Sequence, residues 1–357
     1  MGGMDLATAR ALKEQVAREI VRPRLAELWL ATRAVRAVGV RRLTQARPGV
    51  ALGLARGPEP GTYALAVRLQ RRTAALDETL QAGIQRVAGP AVQIDYIGTV
   101  FKGARTARRA PPGAAAATRP WYQQRQRPLR IGCSCGHVNV TAGTLGAFGT
   151  HDASGQAVIL SNNHVLANEN KARQGDPILQ PGAYDGGRRA SDAVAHLLDH
   201  VALLPGMNNE VDAAIAALQP DVPFEPTLLT DAPAAWAGLR ETPVEPGEPV
   251  FKLGRTTGLT RGVVSAIEVD DVVVSYERGE LGFDRQTEIS SAEQGRPFSS
   301  GGDSGSVIFD MQGRAFGLLF AGSDQGGHND LGVTYANDLR RVAELLGVKL
   351  GGPAGAH

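Results

Sequence analysis

From Asp5 to about residue 43, apolar residues return at helical spacing (Leu6, Ala9, Leu12, Val16, Ile20). This predicts helix, divided in two by Pro23, with Arg-rich exposed faces. Runs at 50–54 and 63–69 predict two strands joined by the turn Gly57-Pro58-Glu59-Pro60-Gly61, followed by a helix at about 76–87 and a strand at 92–100. Residues 45–101 therefore read as a small ββαβ domain behind an N-terminal helical segment, 1–44. Residues 102–130 hold eight basic and no acidic side chains around Ala110-Pro111-Pro112-Gly113-Ala114. Such a stretch cannot bury a core, and an extended basic linker is expected.

Past Arg130 the texture changes to short apolar runs punctuated by Gly, Asn, Asp and Pro, at 143–149, 157–160, 211–218, 250–253, 262–269, 272–276, 307–309, 315–321 and 332–335. A helix at 337–346 closes the series. The prediction for 131–357 is a mostly β domain of paired antiparallel barrels or a sandwich, preceded by a small α+β region with basic helices. Composition agrees: 44 Gly and 21 Pro against 5% aromatic residues suit many tight turns and argue against a helical bundle, and 43% hydrophobic residues exclude wholesale disorder.

Charge divides the chain. Residues 1–130 carry 23 Lys+Arg and 8 Asp+Glu, leaving 15 basic and 28 acidic groups for 131–357. Two electrostatic bodies of opposite sign are expected to dock intramolecularly, and recruitment of nucleic acid or an anionic membrane by the basic half is the weaker alternative. The apolar stretch at 25–40 is broken by Glu27, Arg33 and Arg36, so neither a signal peptide nor a spanning helix is expected. Leu6 replaces the hydroxyl residue that myristoylation at Gly2 would need. Two cysteines, Cys133 and Cys135, are too close for an unstrained bridge and point to a reducing, cytoplasmic setting.

The candidate chemistry begins at Ser300-Gly301-Gly302-Asp303-Ser304-Gly305-Ser306, followed by the apolar Val307-Ile308-Phe309. Glycines on both sides of one serine allow a tight turn in which the N–H groups of Gly302 and Ser304 face one spot beside the hydroxyl, forming an oxyanion hole. A serine needs a base. His164 lies where the apolar run 158–160 enters the polar Ser161-Asn162-Asn163, whereas His137 and His151 sit in loops and His196 and His200 in a weaker strand. An imidazole base needs a carboxylate to fix its tautomer. Asp212 is a lone charge in the apolar run 211–218, and Asp192 and Asp199 stand in more polar surroundings. The motif Cys133-Ser134-Cys135-Gly136-His137 offers soft-metal donors, but three ligands on one extended segment do not all face one side and no second cluster follows, so no metal site is expected.

The order His164, Asp212, Ser304, with separations of 48 and 92 residues, and the motifs Ser161-Asn162-Asn163-His164-Val165 and Gly302-Asp303-Ser304-Gly305-Ser306, together resemble the trypsin/chymotrypsin-like serine protease family (PA clan) from about Gly143 to Val348. The Cys-poor bacterial intracellular type is the nearest variety, and residues 250–262 resemble a segment that opens the second barrel in such proteases. The resemblance implies two six-stranded β-barrels, with His164 and Asp212 from the first and Ser304 from the second, and a serine endopeptidase that works without a cofactor on protein or peptide substrates. A protease-fold binding or scaffold protein without activity is the alternative. By family alignment the substrate pocket has its floor near Phe298 and a wall of Phe320, Ala321 and Gly322, with a segment near Gly332 opposite. No acid occupies the floor, although Glu293 is close in sequence, so a small or apolar residue is expected at the cleaved position. Arg255 reads equally as a substrate contact or a strand-edge charge. Arg130-Ile131-Gly132 superficially resembles an activation junction but stands too close to His164, so Asp303 is expected to find a donor inside the fold.

Overall fold

The computed structural model describes residues 3–24, 26–27, 49–75, 77–103 and 119–351. The expected continuation of the N-terminal helices to residue 43, and most of the expected linker, fall outside these residues. Two large sheets organise the molecule. In one, six strands close a ring: Pro249–Gly254, Gly258–Asp270, Gln286–Ser291, Val333–Asp338, Ala315–Gly322 and Val307–Asp310, the last returning to the first. The other is an eight-stranded curved sheet in the order Val348–Leu350, Ala147–His151, Ala157–Ser161, Ala214–Leu218, Ala193–His200, Pro177–Leu179, Ser134–His137, Gly143–Thr144. This is a mostly β, chymotrypsin-like double-barrel fold in which one barrel is closed and the other is half a barrel.

Several strands of this core escape a reading by hydrophobic pattern, among them Ser134–His137, Pro177–Leu179, Gly279–Phe283 and Gln286–Ser291. The last carries buried polar side chains where apolar ones would be expected. Glu288 is buried because the Arg68 guanidinium, Ser265 and Tyr335 all bond its carboxylate, and the Gln286 amide meets Asn337. Partnered this way, polar groups enter a core without the penalty of an unsatisfied one. The closing helix, Leu339–Leu346, starts on Asp338, which accepts from the N–H groups of Arg340 and Arg341, and stops at Gly347 with φ 56°. Its Leu339, Val342, Ala343 and Leu346 pack into the core of the eight-stranded sheet.

The N-terminal region is tied to the closed barrel. Strands β1 (Val50–Arg56), β2 (Tyr63–Leu69) and β3 (Val92–Tyr96), with the helix Glu78–Ala88 between β2 and β3, extend its sheet through the pairing of β1 with the far half of Gly258–Asp270. A fourth strand, β4 (Val100–Lys102), lies between Val272–Tyr276 and Ala315–Gly322. Ahead of β1, the helix Leu6–Val16 is capped by Asp5, which accepts from the N–H of Thr8. A π-helical turn, Ala17–Val21, continues it, and the chain is still helical at 22–24, past Pro23. Among the described residues, cations of this region meet carboxylates of the larger domain at Arg10–Glu268, Lys13–Asp270, Arg68–Glu288, Arg71–Glu280 and Lys102–Glu277. Between the described residues of β4 and the eight-stranded sheet, residues 121–123 form one 3₁₀ turn, and Leu129–Arg130 pairs with Phe224–Glu225. No described helix is long and apolar enough to cross a membrane.

Candidate active site

His164 sits in a single helical turn, Asn163–Leu166, that begins where the strand Ala157–Ser161 ends. Asp212 stands just before the neighbouring strand Ala214–Leu218 rather than inside it, and strand pairing of Ala214 with Ser161 draws the two segments together. Imidazole Nδ1 lies 2.6 Å from Asp212 Oδ2, and the backbone N–H of His164 donates to Oδ1 at 3.2 Å. Asp212 is fully buried, and its main chain is held as well: its carbonyl accepts from Asn162 and its N–H donates to Asn337.

A third donor to this carboxylate comes from the other large sheet, at the end of the strand Val272–Tyr276. Tyr276 Oη donates to Asp212 Oδ2 at 2.6 Å, and its ring meets the imidazole edge-on at 6.0 Å between centroids. Burial alone would push the Asp212 carboxyl up, but His164 and the Tyr276 hydroxyl hold it below the ordinary aspartate value. The same burial and the adjacent carboxylate push the Tyr276 phenol well above its usual range, so it stays a donor. Tyr276 had no local sign in the sequence as part of a site.

Ser304 lies on the turn leading into Val307–Asp310, with left-handed glycines on either side, Gly302 (φ 100°) and Gly305 (φ 92°). Side chains are excluded there by contact as well as by φ: a Cβ on Gly302 would stand 2.4 Å from Thr256 Oγ1, and one on Gly305 2.0 Å from Ser161 Oγ. Among the described residues, the N–H groups of Gly302 and Ser304 have no hydrogen-bond acceptor, so both remain available as donors. Ser304 Oγ is not bonded to His164. It lies 3.5 Å from the carbonyl of Phe320.

The carboxylate before the serine is satisfied within the fold. Asp303 accepts from the N–H groups of Thr256, Thr257 and Ser300 and from the Thr257 hydroxyl, and buried Lys252 Nζ lies 3.6 Å away. Burial lowers the Lys252 ammonium below the ordinary lysine value, with Asp303 opposing that shift. Arg255, just past the strand Pro249–Gly254, is buried: its guanidinium pairs bidentately with Asp185 at 2.6 and 2.7 Å and lies over the ring of Tyr184. Ser134, from the cysteine motif, donates to the same Asp185.

The other sequence candidates lie apart from this cluster. Asp192 bonds Ser191 and the N–H of Arg188, Asp199 is exposed, and His137, His151 and His196 bond Asp176, Ser154 and the carbonyl of Gly175. Cys133 and Cys135 are free buried thiols, and burial pushes Cys133 up to about 12. Phe298, Phe320, Ala321 and Gly322 are buried, and the carbonyl of Phe298 accepts from Thr260.

A family model described as a trypsin-like peptidase domain matches residues 147–318. Among curated proteins no match is found. Similar solved structures include Thermobifida fusca protease A, at 16% identity over 62% of this chain and 98% of that one, with a TM-score of 0.43. A Nocardiopsis protease shares 21% identity over 62% and 99% of the two chains (TM-score 0.42). Cellulomonas bogoriensis chymotrypsin shares 17% over 62% and 98% (TM-score 0.42). That matched segment spans both the His164 turn and the Ser304 loop, and over it this chain carries a trypsin-like peptidase domain.

Proposed function

We propose that this protein is a serine endopeptidase that cleaves peptide bonds through an acyl-enzyme, with Ser304 as nucleophile, His164 as general base and acid, and Asp212 as the carboxylate that orients the imidazole. The observation that carries the reading is the 2.6 Å contact between His164 Nδ1 and a buried Asp212 that is itself held by Tyr276. With Nδ1–H committed to Asp212, the lone pair on Nε2 is left to accept a proton.

In the working state Ser304 turns about its Cα–Cβ bond, exchanging the Phe320 carbonyl for the imidazole. Oγ then bonds the substrate carbonyl carbon as its proton passes to His164, and the carbonyl oxygen takes the negative charge beside the N–H groups of Gly302 and Ser304. Collapse breaks the C–N bond, the amine leaves with the proton from His164, and water repeats the sequence to free the acid. Phe298, Phe320, Ala321 and Gly322 bound the acyl side-chain pocket, and their burial suits a small residue there. The basic N-terminal region acts as a docked regulatory element through its ion pairs with the acidic domain, and the two free thiols suit a reducing compartment.

Labelling with a fluorophosphonate tests the assignment. The wild-type protein is expected to be modified, slowly if need be, and Ser304→Ala not at all. Loss of Ser304 or His164 should lower peptide hydrolysis by on the order of 10⁴- to 10⁶-fold. A folded Ser304→Ala protein that hydrolyses as well as wild type would refute the reading, and a protein that labels in no form, wild type or variant, would favour the inactive binding protein.

A further inference from the structure

The strand β4 occupies an unusual place. It runs antiparallel to the end of Ala315–Gly322, with Lys102 opposite Ala321 and Phe101 opposite Gly322, on the side of that strand not used by Val333–Asp338. Just past β4, the N–H of Gly103 donates to the Phe320 carbonyl at 3.1 Å, the same oxygen that Ser304 Oγ approaches. A Cβ placed on Gly103 would stand 3.0 Å from Ser304 Oγ and 3.6 Å from the Gly302 nitrogen. Gly103 therefore lies against the Ser304 hydroxyl and the Gly302 N–H, where the reacting residue of a peptide would sit. Its φ of 55° takes the backbone out of the extended conformation at that point, so β4 fills the groove as an occupant and not as a peptide held in line for attack.

The side chain before Gly103 meets a built subsite. Lys102 Nζ bonds Glu169 Oε1 and lies 3.4 Å from Glu277. Glu169 has only 1% of its side chain exposed; Oε1 also accepts from the N–H of Glu277, Arg278 donates to the Glu169 main-chain carbonyl, Lys171 stands 4.0 Å from Oε2, and among the described residues Oε2 has no hydrogen-bond partner. A carboxylate sealed from water in this manner requires a cation, and β4 supplies it. Residues Asn168, Glu169 and Asn170 all have positive φ (48°, 55° and 63°), a strained run that sets Glu169 beside the groove shortly after the His164 turn.

We propose that the chain's own Phe101-Lys102-Gly103 fills the substrate groove and keeps the enzyme inhibited. Peptides that displace it are extended segments with Lys or Arg immediately before a glycine at the cleaved position. The inference rests on the hydrolase reading. A tethered occupant competes at an effective concentration on the order of millimolar, so free peptides and active-site reagents gain access only in the fraction of molecules from which β4 has lifted.

Two full-length variants release the strand by different means. Gly103→Pro removes the N–H that bonds Phe320 and cannot adopt the observed φ, and Lys102→Glu sets a like charge against Glu169 and Glu277. With circular dichroism and melting checked against wild type, each is expected to label with fluorophosphonate at least tenfold faster than wild type. In the Gly103→Pro background, an acyl-Phe-Lys-Gly coumarin amide should be cleaved at least tenfold faster than its Phe-Glu-Gly counterpart, and adding Glu169→Gln should erase most of that difference. Folded variants that label at the wild-type rate would overturn the inhibitory role, and equal cleavage of the two peptides would overturn the selectivity. Should no form label, the hydrolase reading fails and the groove is judged by binding. A fluorescent Val-Phe-Lys-Gly peptide must then bind Gly103→Pro more tightly than wild type in anisotropy titrations, or the groove assignment falls with it. If Gly103→Pro does not fold, Lys102→Glu carries both the labelling and the anisotropy comparisons.

Discussion

Replacing Tyr276 by Phe isolates one hydrogen bond. The ring stays, with its edge contact to His164 at 6.0 Å and its stacking on Phe283 at 6.1 Å, and only the hydroxyl that donates to Asp212 Oδ2 at 2.6 Å is lost. The acceptor is a fully buried carboxylate. A hydrogen bond to a charged group contributes about 1.5–3 kcal/mol, and here no water replaces the missing donor, so unfolding free energy should fall by about that amount at neutral pH. The pH dependence follows from the depressed Asp212 value. A carboxyl whose folded value lies below its unfolded value contributes stability that is complete above the unfolded value and is lost as pH falls through the folded one. Tyr276→Phe removes one cause of the depression, so the gap between the mutant and wild-type stability curves should be full at neutral pH and close on acidification. Urea unfolding between pH 3 and 8 reads both the loss and its pH dependence. A mutant whose urea midpoint equals that of wild type at neutral pH would show that the hydroxyl does not hold this carboxylate.

Asp212→Asn keeps the shape of the cluster but removes the charge that fixes the imidazole, and kcat should fall by roughly 10⁴-fold at neutral pH with little change in KM; steady-state kinetics on a peptide amide checks it. Gly302→Ala forces a side chain at φ 100° into Thr256 Oγ1, so the loop must move: stability should fall by about 1–3 kcal/mol and labelling of Ser304 should be nearly lost, as followed by melting and labelling together. Arg255→Ala strands buried Asp185 and should cost about 3–5 kcal/mol, whereas adding Asp185→Ala should recover part of that loss, a coupling that a double-mutant cycle measures directly.

Much of the candidate site was legible before any fold was known, because each of the three proposed side chains sits in a segment whose local backbone demands are written in adjacent residues. Ser304 needs a reversal that only flanking glycines permit, and Gly302 and Gly305 supply it. His164 follows a run of buried aliphatics that ends in polar residues, and Asp212 interrupts an apolar approach to a strand. The opposite charges of the two halves were legible too, since a count of side chains needs no geometry. The polar strand Gln286–Ser291 was not, because its hydrophobic pattern is replaced by partners that the sequence places far away.

What the linear chain determined by itself, then, were the groups whose role depends on their immediate neighbours. Tertiary structure alone decided the rest: that Tyr276, 64 residues from Asp212, completes its set of donors, that Asp185 takes Arg255, and that β4 lies along Phe320–Gly322 with Lys102 on Glu169. The physical reason is that strand register and the pairing of buried charges are chosen by the energy of the whole assembled sheet, in which a polar group is tolerated only where a distant partner arrives to satisfy it. No short window of sequence contains that partner.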